Sequence, residues 1–140
     1  VNGMLETGGA WVGIEQLTLE RVLGGLLQPL AWALGIPWDE AQLAGSLIGQ
    51  KFILNEFVAY VTYSEVAGQL SPHSQAIVIF ALCGFANLSS IAILLGGLGA
   101  VAPGRRDDIS RYGFRALIAA SLSNLMSAAL AGFFLTLGAA

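Results

Sequence analysis

The chain has 140 residues, of which 56% are hydrophobic and only 11% charged. A soluble domain carries roughly 25% charged residues, so this composition argues against an ordinary water-soluble domain and for an all-α integral membrane protein of a few spans in one unit. The net charge of −3 leaves no basic face for nucleic acid, and the single cysteine, Cys83, excludes an intrachain disulfide.

The chain opens on Val1 without the charged region, short apolar core and small-residue site of a cleavable leader. Val1-Asn2-Gly3-Met4-Leu5 reads as the continuation of a longer polypeptide, so a preceding part is expected. Residues 22–38 carry no charge and hold Pro29, Trp32 and Trp38. That stretch is about long enough to span, but its proline and tryptophans also suit a tilted or interfacial helix, and residues 1–38 are read as a scaffold region. Residues 41–70 carry Lys51, Glu56 and Glu65. They fit one long tilted helix or two half-helices of about 15 residues entering and leaving on one side. Polar residues cluster at the centre, at Asn55-Glu56 and Tyr60, Thr62 and Tyr63, which favours a re-entrant hairpin over residues 39–71 with its tip near residues 55–60.

Residues 74–104 are uncharged. A straight helix of that length would measure roughly 46 Å, against a hydrocarbon core of about 30 Å. The excess predicts a broken helix over residues 73–103, interrupted in Cys83-Gly84-Phe85-Ala86-Asn87-Leu88-Ser89-Ser90, where unwound backbone is tolerated only against a protein-walled cavity. Residues 104–115 then hold Arg105, Arg106, Arg111 and Arg115, four of the six basic residues. This stretch is expected to be a cytoplasmic loop by the positive-inside rule. The C-terminus then lies outside, with Ser71-Pro72-His73, and the hairpin opens outward. Residues 116–140 are uncharged and predict a last span, with Ser121, Ser123, Ser127, Ala128 and Gly132 suited to close helix packing.

Chemistry concentrates at the two polar interruptions. A carboxylate at membrane depth costs about 2.5–3.5 kcal/mol on insertion scales, so Glu56 is the first candidate for contact with a polar solute or ion. The bland alternative is an ion pair with Lys51 or a tilt towards the interface. The three-residue spacing of Asn87 and Ser90 sets them side by side on a near-helical backbone. A carboxylate, an amide and a hydroxyl together suit a polyhydroxylated solute; interhelical glue is the alternative for Asn87, Ser89 and Ser90. Lys51 reads as structural, either snorkelling or satisfying carbonyls at the hairpin. Glu65 reads as solvated at the hairpin's outer end, His73 as a loop residue, and Cys83 as a small core residue. Gly96-Gly97-Leu98-Gly99 lacks the Gly-Lys-Ser/Thr ending of a phosphate loop and reads as a packing or bending site. Phe52, Phe57, Tyr60 and Phe85 flank the polar sites and suit either stacking on a ring or packing. No second cysteine or paired histidine suggests a metal site, and no nucleophile–base pair suggests an enzyme.

These motifs resemble one family. Gly49-Gln50-Lys51 followed by Asn55-Glu56-Phe57-Val58-Ala59-Tyr60 is similar to the second-hairpin signature of the concentrative nucleoside transporters. Residues 80–92, from Phe80 through Cys83-Gly84-Phe85-Ala86-Asn87-Leu88-Ser89-Ser90 to Ala92, resemble the discontinuous helix that follows it. Gly96-Gly97-Leu98-Gly99, Pro103, Arg105-Arg106, Ser123-Asn124-Leu125-Met126-Ser127 and Ala131-Gly132-Phe133-Phe134 fit the remainder.

The resemblance implies the C-terminal half, and second inverted repeat, of a transporter whose eight-helix protomers form homotrimers in a lipid bilayer, here the bacterial inner membrane. It implies that Glu56, Asn87 and Ser90 hydrogen-bond the ribose hydroxyls of a uridine-like nucleoside. The base-reading first hairpin and the coupling-ion site, for sodium or in some members a proton, lie outside this chain. No cofactor is implied. Transport would be symport by alternating access, with no covalent chemistry. The rival reading is a non-transporting membrane scaffold or assembly subunit, in which Glu56 and Lys51 form a structural pair.

Overall fold

The computed structural model describes Gly3 and residues 18–138. Helix α1 spans Leu19–Ala33, and the Thr18 hydroxyl caps it by accepting from the Arg21 amide at 3.3 Å. Pro29 lies inside this helix. A short turn reverses the chain, with Gly35 at φ +102°, a conformation that only glycine adopts without strain. Helix α2, Trp38–Ile53, then packs back against α1. Glycines set how close the two come. A Cβ on Gly45 would lie 2.9 Å from the Leu27 carbonyl carbon and 3.0 Å from the Gln28 nitrogen, and one on Gly49 would lie 2.7 Å from the Leu23 Cβ. The Gln28 amide closes the pair by donating to the Trp38 carbonyl at 3.1 Å.

Residues 44–51 of α2 are buried at every position, so this helix is packed on all sides. Helix α3, Glu56–Val66, follows after a break at Leu54-Asn55 and ends in a 3₁₀ turn, Ala67–Gln69. Helix α4, Pro72–Leu82, starts with proline at its first position, where no amide hydrogen is needed. Its cap, Ser71, accepts from the Ser74 amide at 3.3 Å. Five non-helical residues separate α4 from helix α5, Leu88–Val101. The uncharged stretch is therefore two short helices, neither long enough to cross about 30 Å of hydrocarbon alone.

Two charged side chains join α2 to α4 at both ends. Glu40, near the start of α2, accepts from the Ser71 amide at 3.1 Å and the Ser71 hydroxyl at 3.0 Å. Lys51, near the end of α2, donates to the Ala81 carbonyl at 2.8 Å. The two helices thus run parallel and in register. A carboxylate meets the positive end of α4 and an ammonium the negative end, as the helix dipole favours.

A 3₁₀ turn, Pro103–Arg105, leads into helix α6, Arg106–Gly138, 33 residues long. The stretch expected as a loop over residues 104–115 is therefore helical from Arg106. Charges end a membrane span but do not break a helix, and Asp107-Asp108 in the first turn favours one starting here. Gly113 is no breaker either: it is buried, and a Cβ there would lie 3.0 Å from Ile91 of α5. Together with its 3₁₀ start, α6 is long and apolar enough to cross a membrane. At its other end Gly132 receives Ile77 of α4, and His73 reaches the Gly132 carbonyl at 3.1 Å and the Thr136 hydroxyl at 3.2 Å. The core is built from Leu47, Ile48, Ile77, Val78, Leu82 and Leu125 with interleaved alanines. Large apolar side chains along α5 and α6, such as Ile93, Leu122, Met126 and Phe134, face outward.

Candidate functional site

The two breaks in the helices meet. At the first, the Asn55 side chain caps α3 by accepting from the Val58 amide at 2.9 Å, which places Glu56 at the first helical position. There the free amides at the helix start favour its negative charge. At the second, Asn87 caps α5 in a reciprocal box. Its side-chain oxygen accepts from the Ser90 amide at 2.9 Å, while the Ser90 hydroxyl faces the Asn87 amide at 3.4 Å.

One hydrogen bond joins the two caps: the Asn87 amide nitrogen donates to the Glu56 carboxylate at 3.1 Å. Ser89 adds a second tie, donating to the Leu54 carbonyl at 3.2 Å and to the Asn87 side-chain oxygen at 3.0 Å. Glu56, Asn87 and Ser90, separated by up to 34 positions in sequence, therefore form one chain of polar groups. Asn87 is the hub and is only 2% exposed. Glu56 is half-buried, with no bond to its second carboxylate oxygen among the described residues. The cluster presents an anionic acceptor, an amide and a hydroxyl at two helix N-termini, a set that suits hydroxyl donors on a neutral solute.

Ser90 and Phe85 also line an apolar cavity of about 350 Å³ between the second break and α6, with Gly84, Ile91, Leu94 and Leu117 in its wall. Glu56 and Asn87 do not line it. Phe57 and Phe85 stand 72% and 60% exposed beside the polar chain, while Phe52 and Tyr60 pack against the core.

Lys51 does not pair with Glu56. The Arg105–Asp108 ion pair, by contrast, is exposed. Lys51 neither snorkels nor satisfies a carbonyl of the hairpin: its ammonium is buried and donates outside it, to the Ala81 carbonyl of α4 and to the Asn124 side-chain oxygen of α6. Asn124 in turn donates to the Phe80 carbonyl at 2.8 Å. Gly84 makes room for it, since a Cβ there would lie 2.7 Å from the Asn124 amide carbon.

Asn124 was not among the residues that sequence reasoning singled out. The available signal was an amide alone in an uncharged 25-residue stretch, which calls for a buried partner. Gln50 was given no role either; it accepts from the Thr62 hydroxyl at 2.9 Å and ties α2 to α3.

Cys83 is not a core residue. It is exposed at the end of α4, with its sulfur 3.1 Å from the Tyr60 hydroxyl. The helix stops at Leu82, so the side chain just past its last position escapes the packing that buries Ala81 and Leu82. In the glycine run only Gly99 packs closely, against the Arg106 side chain, while Gly96 and Gly97 face open space. Glu65 is exposed, as expected.

Helices broken at polar residues, with the breaks facing each other inside an apolar all-helical chain, define a class: membrane proteins that build a solute site from half-helix ends. Comparison with known proteins narrows this. The family described as Na+ dependent nucleoside transporter C-terminus matches residues 1–132. The putative nucleoside permease NupX of Escherichia coli is 55% identical over an alignment 132 positions long that covers 92% of this chain and 32% of that protein. Sodium/nucleoside cotransporter 1 of Rattus norvegicus is 37% identical over an alignment 147 positions long that covers 94% of this chain and 23% of that protein.

The solved structure of CNTnw in an inward-facing substrate-bound state superposes with a TM-score of 0.92 at 56% identity, covering 99% of this chain and 35% of that one. A CNTnw variant in an outward-facing state gives a TM-score of 0.93 at 53% identity, covering 100% of this chain and 34% of that one. The chain belongs to the family of Na+-dependent nucleoside transporters, matching its C-terminal part. It spans about a third of the length of NupX and CNTnw. These relatives are named as transporters and permeases, not as enzymes.

Proposed function

We propose that this chain is the ribose-binding half of a nucleoside symporter. The observation that carries the reading is the bond from Asn87 to Glu56, which joins the starts of two half-helices through the residues best suited to hold sugar hydroxyls. Glu56 accepts from the hydroxyls, and Asn87 and Ser90 complete the set. The α2–α3 pair forms a re-entrant hairpin, and α4 with α5 a discontinuous transmembrane helix. Both breaks lie near the bilayer midplane, where transporters of this kind place their sites.

The rest of the protein supplies the base-reading hairpin and the coupling-ion site. Sodium drives uptake in relatives named as sodium/nucleoside cotransporters, and a proton is the alternative ion. Inward- and outward-facing states of CNTnw support alternating access. The protein works as a homotrimer in the bacterial inner membrane, with Arg105, Arg106, Arg111 and Arg115 on the cytoplasmic side.

The test is uridine uptake into cells expressing the full-length transporter that contains this chain. Wild type is compared with Glu56→Gln, with and without a sodium gradient. Uptake that is sodium-dependent in the wild type and lost in a variant that still reaches the membrane is expected. Equal uptake in both removes Glu56 from the site, and no uptake in either favours a scaffold role or another solute.

A further inference from the structure

The mechanism leaves one buried charge unused. Lys51 is fully buried, at 0% exposure, and lies in the last turn of α2. Its ammonium sits on the last turn of α4, on the Ala81 carbonyl and the Asn124 side-chain oxygen. The end of α4, with its partial negative charge and carbonyls left over at the break, supplies the Ala81 oxygen at this point. Two oxygens, one backbone carbonyl and one amide, are donors of the type that bind sodium where transporter helices are interrupted. The same atoms would suit a free monovalent cation equally well. Asn124 is held for the task by its bond to the Phe80 carbonyl, and Gly84 leaves it the space. No carboxylate shares the position, since the nearby Glu56 bonds to Asn87 instead.

We propose that the Lys51 ammonium fills a monovalent-cation site formed by the end of α4 and the Asn124 amide oxygen, acting as a tethered ion in place of a mobile one. This half of the protein then carries its cation permanently and needs none from solution. Removing the lysine side chain vacates the site, and a small cation can take it.

The experiment uses the purified full-length transporter in nanodiscs, in sodium-free buffer so that sodium does not fill the vacated site, with choline as the inert control. Unfolding midpoints are read without nucleoside, which keeps the result separate from the proposed transport function; nucleoside binding is read second. Lys51→Ala is expected to unfold at a lower temperature in choline and to regain about 1–2 °C when ammonium replaces choline at roughly ten times its dissociation constant. Wild type shows no ammonium effect. Lys51→Met fills the space without charge and is expected to stay destabilised with or without ammonium. The double variant Lys51→Ala with Asn124→Asp is expected to bind ammonium at least about tenfold more tightly, because a carboxylate oxygen replaces an amide one. Nucleoside affinity in Lys51→Ala follows the same cation dependence.

The proposal is overturned if no small cation stabilises Lys51→Ala, if ammonium stabilises Lys51→Met equally, or if Lys51→Ala matches wild type in choline. Failure of Lys51→Ala to assemble even when ammonium is present throughout expression and purification overturns it as well.

Discussion

Asn87 does two jobs that one pair of substitutions separates. It caps α5 through its side-chain oxygen, and its amide nitrogen bridges to Glu56. Asn87→Ala removes both. A lost N-cap costs about 0.5–2 kcal/mol, and a lost hydrogen bond to a charged group about 1.5–3 kcal/mol, so a total near 2–5 kcal/mol is expected. Asn87→Asp separates them, because aspartate caps a helix as well as asparagine does. If capping were the whole role, this variant would be silent. The bridge reasoning instead places a second carboxylate about 3 Å from Glu56. At an effective dielectric near 20 the repulsion is about 5 kcal/mol before the groups move apart. The assay is thermal unfolding of the full-length protein in nanodiscs, followed by nucleoside titration calorimetry. Asn87→Asp should unfold several degrees below wild type and lose more than about tenfold in nucleoside affinity. An Asn87→Asp protein that unfolds within about 1 °C of wild type and binds nucleoside as tightly refutes the bridge.

Two further predictions concern packing and surface. Gly45→Leu drives a side chain into the α1 backbone at Leu27 and Gln28, which cannot step aside; it should cost about 1–3 kcal/mol. Gly25→Ala, where a Cβ meets open space, should be neutral or slightly stabilising, and equal effects of the two in a thermal-shift series would sink the packing argument. Arg105→Ala breaks the exposed pair with Asp108, and the unfolding midpoint should move by no more than about 1–2 °C. A larger change would mean that this pair does more than screen two surface charges.

The candidate site was legible because membrane depth makes polar residues expensive. Glu56 and Asn87 each interrupt an apolar run, and such groups are rarely kept without a partner or a purpose. Composition alone could not say that they bond to each other, 31 positions apart. The destination of Lys51 was hidden for the same reason: its acceptors lie 30 and 73 positions away. Residue type allowed carbonyl binding or snorkelling, and only packing decides between them. Asn124 was quoted in a motif but given no role of its own, because a single amide in a long span reads equally well as helix glue. The start of α6 was misplaced because arginines mark where a span leaves the bilayer, whereas helix continuity depends on backbone breakers, and Gly113 is buried against Ile91 rather than breaking anything. Cys83 was misread because burial at a helix end depends on where the helix stops, a boundary that propensity fixes only to within a few residues.

The placement of α2 has a consequence for which residues evolution can vary freely. The helix buried at every position from 44 to 51 is built from Ala44, Gly45, Ser46, Leu47, Ile48, Gly49, Gln50 and Lys51. The apolar α5 and the long α6 carry their large side chains on the outside. Mutational tolerance should therefore follow packing rather than hydropathy. Leucine, isoleucine and phenylalanine can trade places on the outer faces of α6, where any apolar shape serves. Exchanges at Ser46, Gly49 or Gln50, though among the least hydrophobic positions in the chain, have almost no room to be accepted.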